Sequence, residues 1–144
     1  MSKALITYDE LAVGQRASFT KTVSQADISH FIAITADVNP LHVDATFAER
    51  TFCKKPIAHG MLSASLFSHV LGMLLPGTGA IYRSQTLKFA RPVYVGDTLT
   101  ATLEITGIDR AGELIEMDGA ITNQHADLVI QGTATATLLR GFIA

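Results

Sequence analysis

The chain has one cysteine in 144 residues, Cys53. An internal disulfide framework is therefore excluded, and a lone thiol fits a reducing compartment. No reactive-cysteine motif surrounds Cys53, which reads it as a partly buried bystander rather than a nucleophile. Net charge is only −2 and basic residues form no block, which argues against nucleic acid as a partner. The opening MSKALITYDE lacks the apolar core of a signal peptide. The most apolar stretch, Met61 to Leu75, carries three serines and a histidine and is too short to span a bilayer. GxSxG elbows, Walker loops and dinucleotide fingerprints do not occur. The expectation is a soluble, cytoplasmic protein with no membrane partner, no metal and no cofactor.

What is present points to a packed domain. Hydrophobic residues make up 48% and charged residues 17%, a composition that folds rather than stays disordered. No linker, repeat or low-complexity segment divides the chain, so residues 1–144 are read as one domain. A short strand from Arg16 to Val23 leads to Ser24-x-x-Asp27, a capping box with Asp in place of Glu. Ile28, Phe31, Ile32 and Thr35 follow at helical spacing, which predicts a helix over 25–35. Asp44 is positioned to cap a second short helix through Arg50. From Gly60 to Leu75 apolar residues fall nearly all round, the pattern of a helix wrapped by other structure.

The second half reads as strands. Leu99, Ala101, Leu103 and Ile105 alternate with Thr98, Thr100, Thr102 and Glu104, as in an antiparallel strand with one buried face. Asp109 to Gly112 supplies a hairpin turn, Leu114 to Thr122 returns, and Leu128 to Leu139 follows a second turn. An earlier strand spans 80–89. The sum is an α+β fold of about five antiparallel strands curled around a long central helix.

Asp37 lies five residues before His42, with Asn39-Pro40 between them. The residue before a proline is driven out of the α region, so acid and imidazole sit on a shaped loop where they can converge. A lone Asp in such a place ordinarily serves its own turn, and a lone His is ordinarily structural. Paired, they can hold one water, one group accepting its proton and the other orienting it. Imidazole titrates near neutrality, which suits it to gain or give that proton. Gly60 opens the apolar helix. Its N–H is unpaired at a helix start and could face a substrate carbonyl, though a glycine there can also be no more than a cap. His59 beside it reads as structural, and Ser68 and His69 as core residues with local hydrogen bonds. His42-x-Asp44 would make a metal pair only with a third ligand, and none stands at suitable spacing.

These residues resemble a known family. Phe31-x-x-x-Thr35-Ala36-Asp37-Val38-Asn39-Pro40-Leu41-His42, with Ala48 after it, looks like the hydratase 2 motif of the MaoC-like (R)-specific enoyl-CoA hydratases. Pro56-Ile57-Ala58-His59-Gly60-Met61 and Phe89-x-x-Pro92-Val93-x-x-Gly96-Asp97 resemble two further blocks of that family. The resemblance implies a hot-dog fold, a homodimer whose sheets join, and an acyl-CoA substrate. The chain's length resembles the bacterial polyhydroxyalkanoate-linked type. Carried over by position, Asp37 and His42 are the catalytic pair and Gly60 the donor to the thioester carbonyl, with Asn39 and Ser68 supporting. One departure is visible: Ala36 stands where the family usually has Gly, and a required positive φ would strain it.

The reaction implied is reversible syn hydration of a trans-2-enoyl-CoA to the (R)-3-hydroxyacyl-CoA. A 3-hydroxyacyl-ACP dehydratase would use the same pair on a carrier-linked substrate. A hot-dog thioesterase commonly has a carboxylate on its central helix, and Met61 to Leu75 contains no Asp or Glu. A non-catalytic acyl-binding subunit would not need Asp37 and His42 together. For the CoA phosphates, Lys54, Lys55, Lys88 and Arg91 are the candidate cations.

Overall fold

The computed structural model describes residues 5–139. Strand β1 (Arg16–Thr22) is followed by α1 (Gln25–Thr35) and two short helical turns, α2 (Pro40–Val43) and α3 (Ala45–Glu49). The central helical segment runs as α4 (Gly60–Ala64), α5 (Leu66–His69) and a π turn (Val70–Leu74). Then come β2 (Ala80–Gln85), β3 (Lys88–Phe89), β4 (Thr98–Asp109), β5 (Leu114–Thr122) and β6 (Leu128–Leu138). Every strand pairs antiparallel in one sheet, ordered β1-β4-β5-β6-β2, with β3 also on β6.

Local chemistry starts and stops the elements. At the start of α1, Ser24 Oγ accepts the Asp27 N–H at 3.1 Å, and Asp27 Oδ2 accepts the Ser24 N–H at 2.8 Å. This is the reciprocal capping box, which satisfies two donors the helix leaves orphaned. The helix ends at Ala36, whose φ of 58° and ψ of 18° lie in the left-handed region. The other short helices start equally locally, Asp44 capping α3 by accepting the Phe47 N–H at 3.0 Å.

The alternation read along the last strands is the burial observed. Leu99, Ala101, Leu103 and Ile105 of β4 are fully buried, as are Ile115 and Ile121 of β5. With Ile130, Ala134 and Ala136 of β6 they form a floor on which Phe67, Val70 and Leu71 of the central segment rest. Fully burying a side chain of this size contributes about 1.5–3 kcal/mol, so the floor fixes where the central segment lies. Hydroxyls ladder across the opposite face, as in Ser18–Thr102 at 2.7 Å and Thr20–Thr100 at 2.9 Å.

Two elements differ in detail from the sequence expectation. The central helix has the predicted extent but not the predicted continuity. The Ser65 N–H is shared between Met61 O at 2.9 Å and Leu62 O at 3.2 Å, which tightens the turn there. Further on, the Leu75 N–H reaches Val70 O at 2.8 Å, the wider π spacing. The strand predicted over 80–89 divides into β2 and β3 because the chain crosses closely over Gly132. A Cβ on that glycine would overlap the Thr86 carbonyl oxygen. β2 then pairs with the far half of β6 and β3 with its start.

Candidate active site

Three stretches of chain meet beside the start of α4: the turn after α1, the loop after α3, and the His59-Gly60 pair. The first is shaped by short side-chain acceptors. Thr35 Oγ1 accepts the Asp37 N–H at 3.2 Å, Asp37 Oδ1 the Asn39 N–H at 3.1 Å, and Asn39 Oδ1 the Leu41 N–H at 3.1 Å. Asn39 is thus the N-cap of α2, with Pro40 at its first position, where the missing proline N–H costs nothing. Proline breaks the helix as expected and also begins the next turn, the one that carries His42.

The loop after α3 is then tied to that turn. The Ile57 N–H reaches Leu41 O at 3.0 Å, and His42 Nδ1 lies 2.7 Å from Ile57 O. A carbonyl can only accept, so Nδ1 carries the hydrogen and Nε2 of the neutral ring is left as an acceptor. His59 is buried, with Nε2 3.0 Å from the Asp37 carbonyl oxygen and 3.9 Å from its Oδ2. Its ring stacks on His42 with centroids 3.8 Å apart.

Asp37, His42, His59, Gly60 and Ser68 share the wall of one cavity of about 750 Å³. The rest of the wall is largely apolar, including Phe31, Met61, Ala64 and Leu87. Tyr82 and Gln85 form a polar pair within it, the phenol donating to Gln85 Oε1 at 2.7 Å. Burial pushes the Tyr82 phenol up to about 12, so it stays a donor at neutral pH. Ser68, read from sequence as a core residue, is exposed on the cavity wall. Asn39 does not line the cavity and acts only through the turn. On the other side of Gly60 a smaller cavity of about 280 Å³ is lined by Ser63, Phe89 and Arg91. The Phe89 ring lies so near Gly60 that a Cβ there would come within 2.8 Å of Phe89 Cε1.

Asp37, His42 and His59 could each offer one ligand atom to a metal, all within 4.8 Å of one another. His59 is the third group that spacing along the chain did not supply. Both imidazoles already engage a carbonyl through one nitrogen, and Asp44, the sequence's other candidate, caps α3. Sequence reasoning missed His59 as a member of this cluster. The block Pro56 to Met61 held the only sign, because its hydrogen-bond partner is a main-chain carbonyl that no residue type announces. Among the candidate cations, Arg91 lines the smaller cavity and Lys55 Nζ stands 4.9 Å over the Tyr94 ring.

The curled antiparallel sheet with its central helix, and the acid–imidazole cluster beside that helix, define the class. The MaoC like domain matches residues 10–127, and the chain belongs to that family and has its hot-dog fold. It is 44% identical over 128 residues to an (R)-specific enoyl-CoA hydratase of Rhodospirillum rubrum, covering 89% of this chain and 88% of that protein. The solved structure of the (R)-hydratase from Aeromonas caviae involved in PHA biosynthesis superposes with a TM-score of 0.85 at 43% identity, covering 90% of this chain and 98% of that one. A mitochondrial 3-hydroxyacyl-[acyl-carrier-protein] dehydratase of Solanum lycopersicum is 35% identical, over 89% of this chain and 78% of its own length. Among the described residues no helix is long and apolar enough to cross a membrane.

Proposed function

We propose that the chain is an (R)-specific enoyl-CoA hydratase that adds water to a trans-2-enoyl-CoA by way of Asp37, His42 and Gly60. The observation that carries this reading is the pair itself: a carboxylate and an imidazole with a free acceptor nitrogen, on the wall of an apolar cavity beside Gly60. Similarity to the Rhodospirillum and Aeromonas hydratases supports it over nearly the whole chain.

The steps follow from the donors and acceptors. The Gly60 N–H holds the thioester oxygen and draws electron density from the double bond, leaving Cβ electrophilic. Water sits between Asp37 Oδ2 and His42 Nε2. Its oxygen bonds to Cβ as His42 Nε2 takes one of its protons, and the π electrons move onto the thioester oxygen as an enolate. The enolate collapses to the thioester by taking that proton from His42 at Cα. Oxygen and hydrogen thus arrive from one face, and His42 returns to its neutral form. Asp37 orients the water and balances the transient imidazolium.

Loss of the enoyl thioester absorbance of crotonyl-CoA on adding the purified protein tests the reading. Asp37→Asn and His42→Gln should each lower kcat by about 10²–10⁴-fold; near-wild-type turnover by either removes the assignment. The second reading is the carrier-protein dehydratase, favoured by the Solanum relative. Parallel assays on crotonyl-CoA and its carrier-linked analogue separate the two.

The protein works as a homodimer on this reading. Met61, Met73, Leu74 and Ile81 stand exposed on the central segment and on β2, an edge strand. Exposed apolar side chains there are the kind of surface a second copy would cover. The buried thiol of Cys53 suits the cytoplasm, and the described residues share one core, as a single domain would.

A further inference from the structure

We infer that His59 is the positioning residue of this site, holding Asp37 and His42 in register through one buried ring. The inference rests on the hydratase reading for its kinetic consequence. The imidazole is 2% exposed. It touches Asp37 through Nε2, 3.0 Å from the main-chain oxygen, and His42 through its face, at 28° between ring planes. Phe31 closes on it with ring centroids 4.9 Å apart. His42 stands in the turn begun by Pro40, and Asp37 in the one before it, which begins at left-handed Ala36. A non-glycine residue disfavours that conformation, so the turn gains from a contact outside itself.

Packing alone does not account for a histidine here. His59 Nδ1 is buried without a hydrogen-bond partner among the described residues, a desolvation cost that an apolar ring would avoid. What the imidazole adds over phenylalanine is the donor to Asp37 O. A glutamine can place its amide nitrogen near the same point, whereas asparagine is too short.

Steady-state kinetics on crotonyl-CoA with His59→Phe, His59→Gln and His59→Asn, alongside thermal unfolding, tests this. Loss of register should lower kcat of His59→Phe and His59→Asn by about 10–100-fold while KM changes less than about threefold. His59→Gln should recover to within about fivefold of wild type. Wild-type kcat in His59→Phe or His59→Asn, or no recovery in His59→Gln relative to His59→Asn, overturns the inference. If His59→Phe does not fold, the glutamine–asparagine pair decides alone. A wild type with no turnover strikes the hydratase reading instead, and crystal structures of the variants then decide. Asp37 displaced relative to His42 by more than about 0.5 Å in His59→Asn but not in His59→Gln upholds the role; an unmoved Asp37 overturns it.

Discussion

Along β4 to β6 alternate side chains are buried and the strands brace one another in register. From Ala36 to Gly60, only Ala48, Cys53, Ala58 and His59 are buried. The sheet draws its stability from apolar area. The site segment draws its shape from hydrogen bonds, to side-chain oxygens of Thr35, Asp37 and Asn39 and to the main-chain carbonyls of Leu41, Ile57, Asp37 and Val93. On the proposed function, stability and chemistry are carried by different parts of the molecule, and substitutions should separate them.

The widest separation is expected between Asp37→Asn and Leu103→Ala. The first should cost at least about 10²-fold in kcat and leave the urea midpoint unchanged. Leu103 is fully buried on the sheet floor, and its truncation should cost about 2–5 kcal/mol of unfolding free energy while the protein that remains folded keeps its kcat. A coupled loss in both measurements for either variant would break the contrast.

Gly60→Ala falls between the two regions. Its Cβ meets the Phe89 ring at 2.8 Å, so the ring must move and access to the N–H narrows. A fall in kcat/KM of about tenfold with a nearly unchanged urea midpoint is expected.

Why one region was legible and the other less so follows from the same contrast. The helix over 25–35 was readable because Ser24 and Asp27 announce its start and apolar spacing fixes its face. Strand β4 was readable from its period of two. The break at Ser65 and the π turn after His69 arise from how the segment settles on the sheet, and Leu-rich spacing does not encode that. Asp37 and His42 stood out as residue types around a proline. His59 did not, because its partner is a backbone oxygen twenty-two residues away. Gly60 at the start of the apolar helix suggests a carbonyl-facing N–H and the family resemblance implies the same, while Ala36, which stands where the family usually has glycine, takes a positive φ of 58°.

Smaller effects sharpen the picture at the edge between the regions. The Ser24 N–H holds the Asp27 carboxyl below its ordinary value of 3.8, with Lys21 adding to it. A carboxyl lowered on folding stabilises above its unfolded value and loses that contribution as pH falls through its folded value. Asp27→Asn should therefore lower stability near neutrality, and its deficit should shrink in urea titrations taken below pH 3.8. Ala36→Gly should have the smallest effect. Relief of about 1–2 kcal/mol of left-handed strain is offset by about 0.5–1 kcal/mol of added chain entropy, so a net gain between zero and about 1.5 kcal/mol is expected. A clear loss in the same titration would show that the Ala36 methyl itself supports the turn.

The most direct test of (R)-specific hydration is chiral analysis of the product formed from crotonyl-CoA by the wild-type protein. The account predicts (R)-3-hydroxybutyryl-CoA. The (S) enantiomer, free CoA without hydroxyacyl product, or unchanged substrate would contradict it.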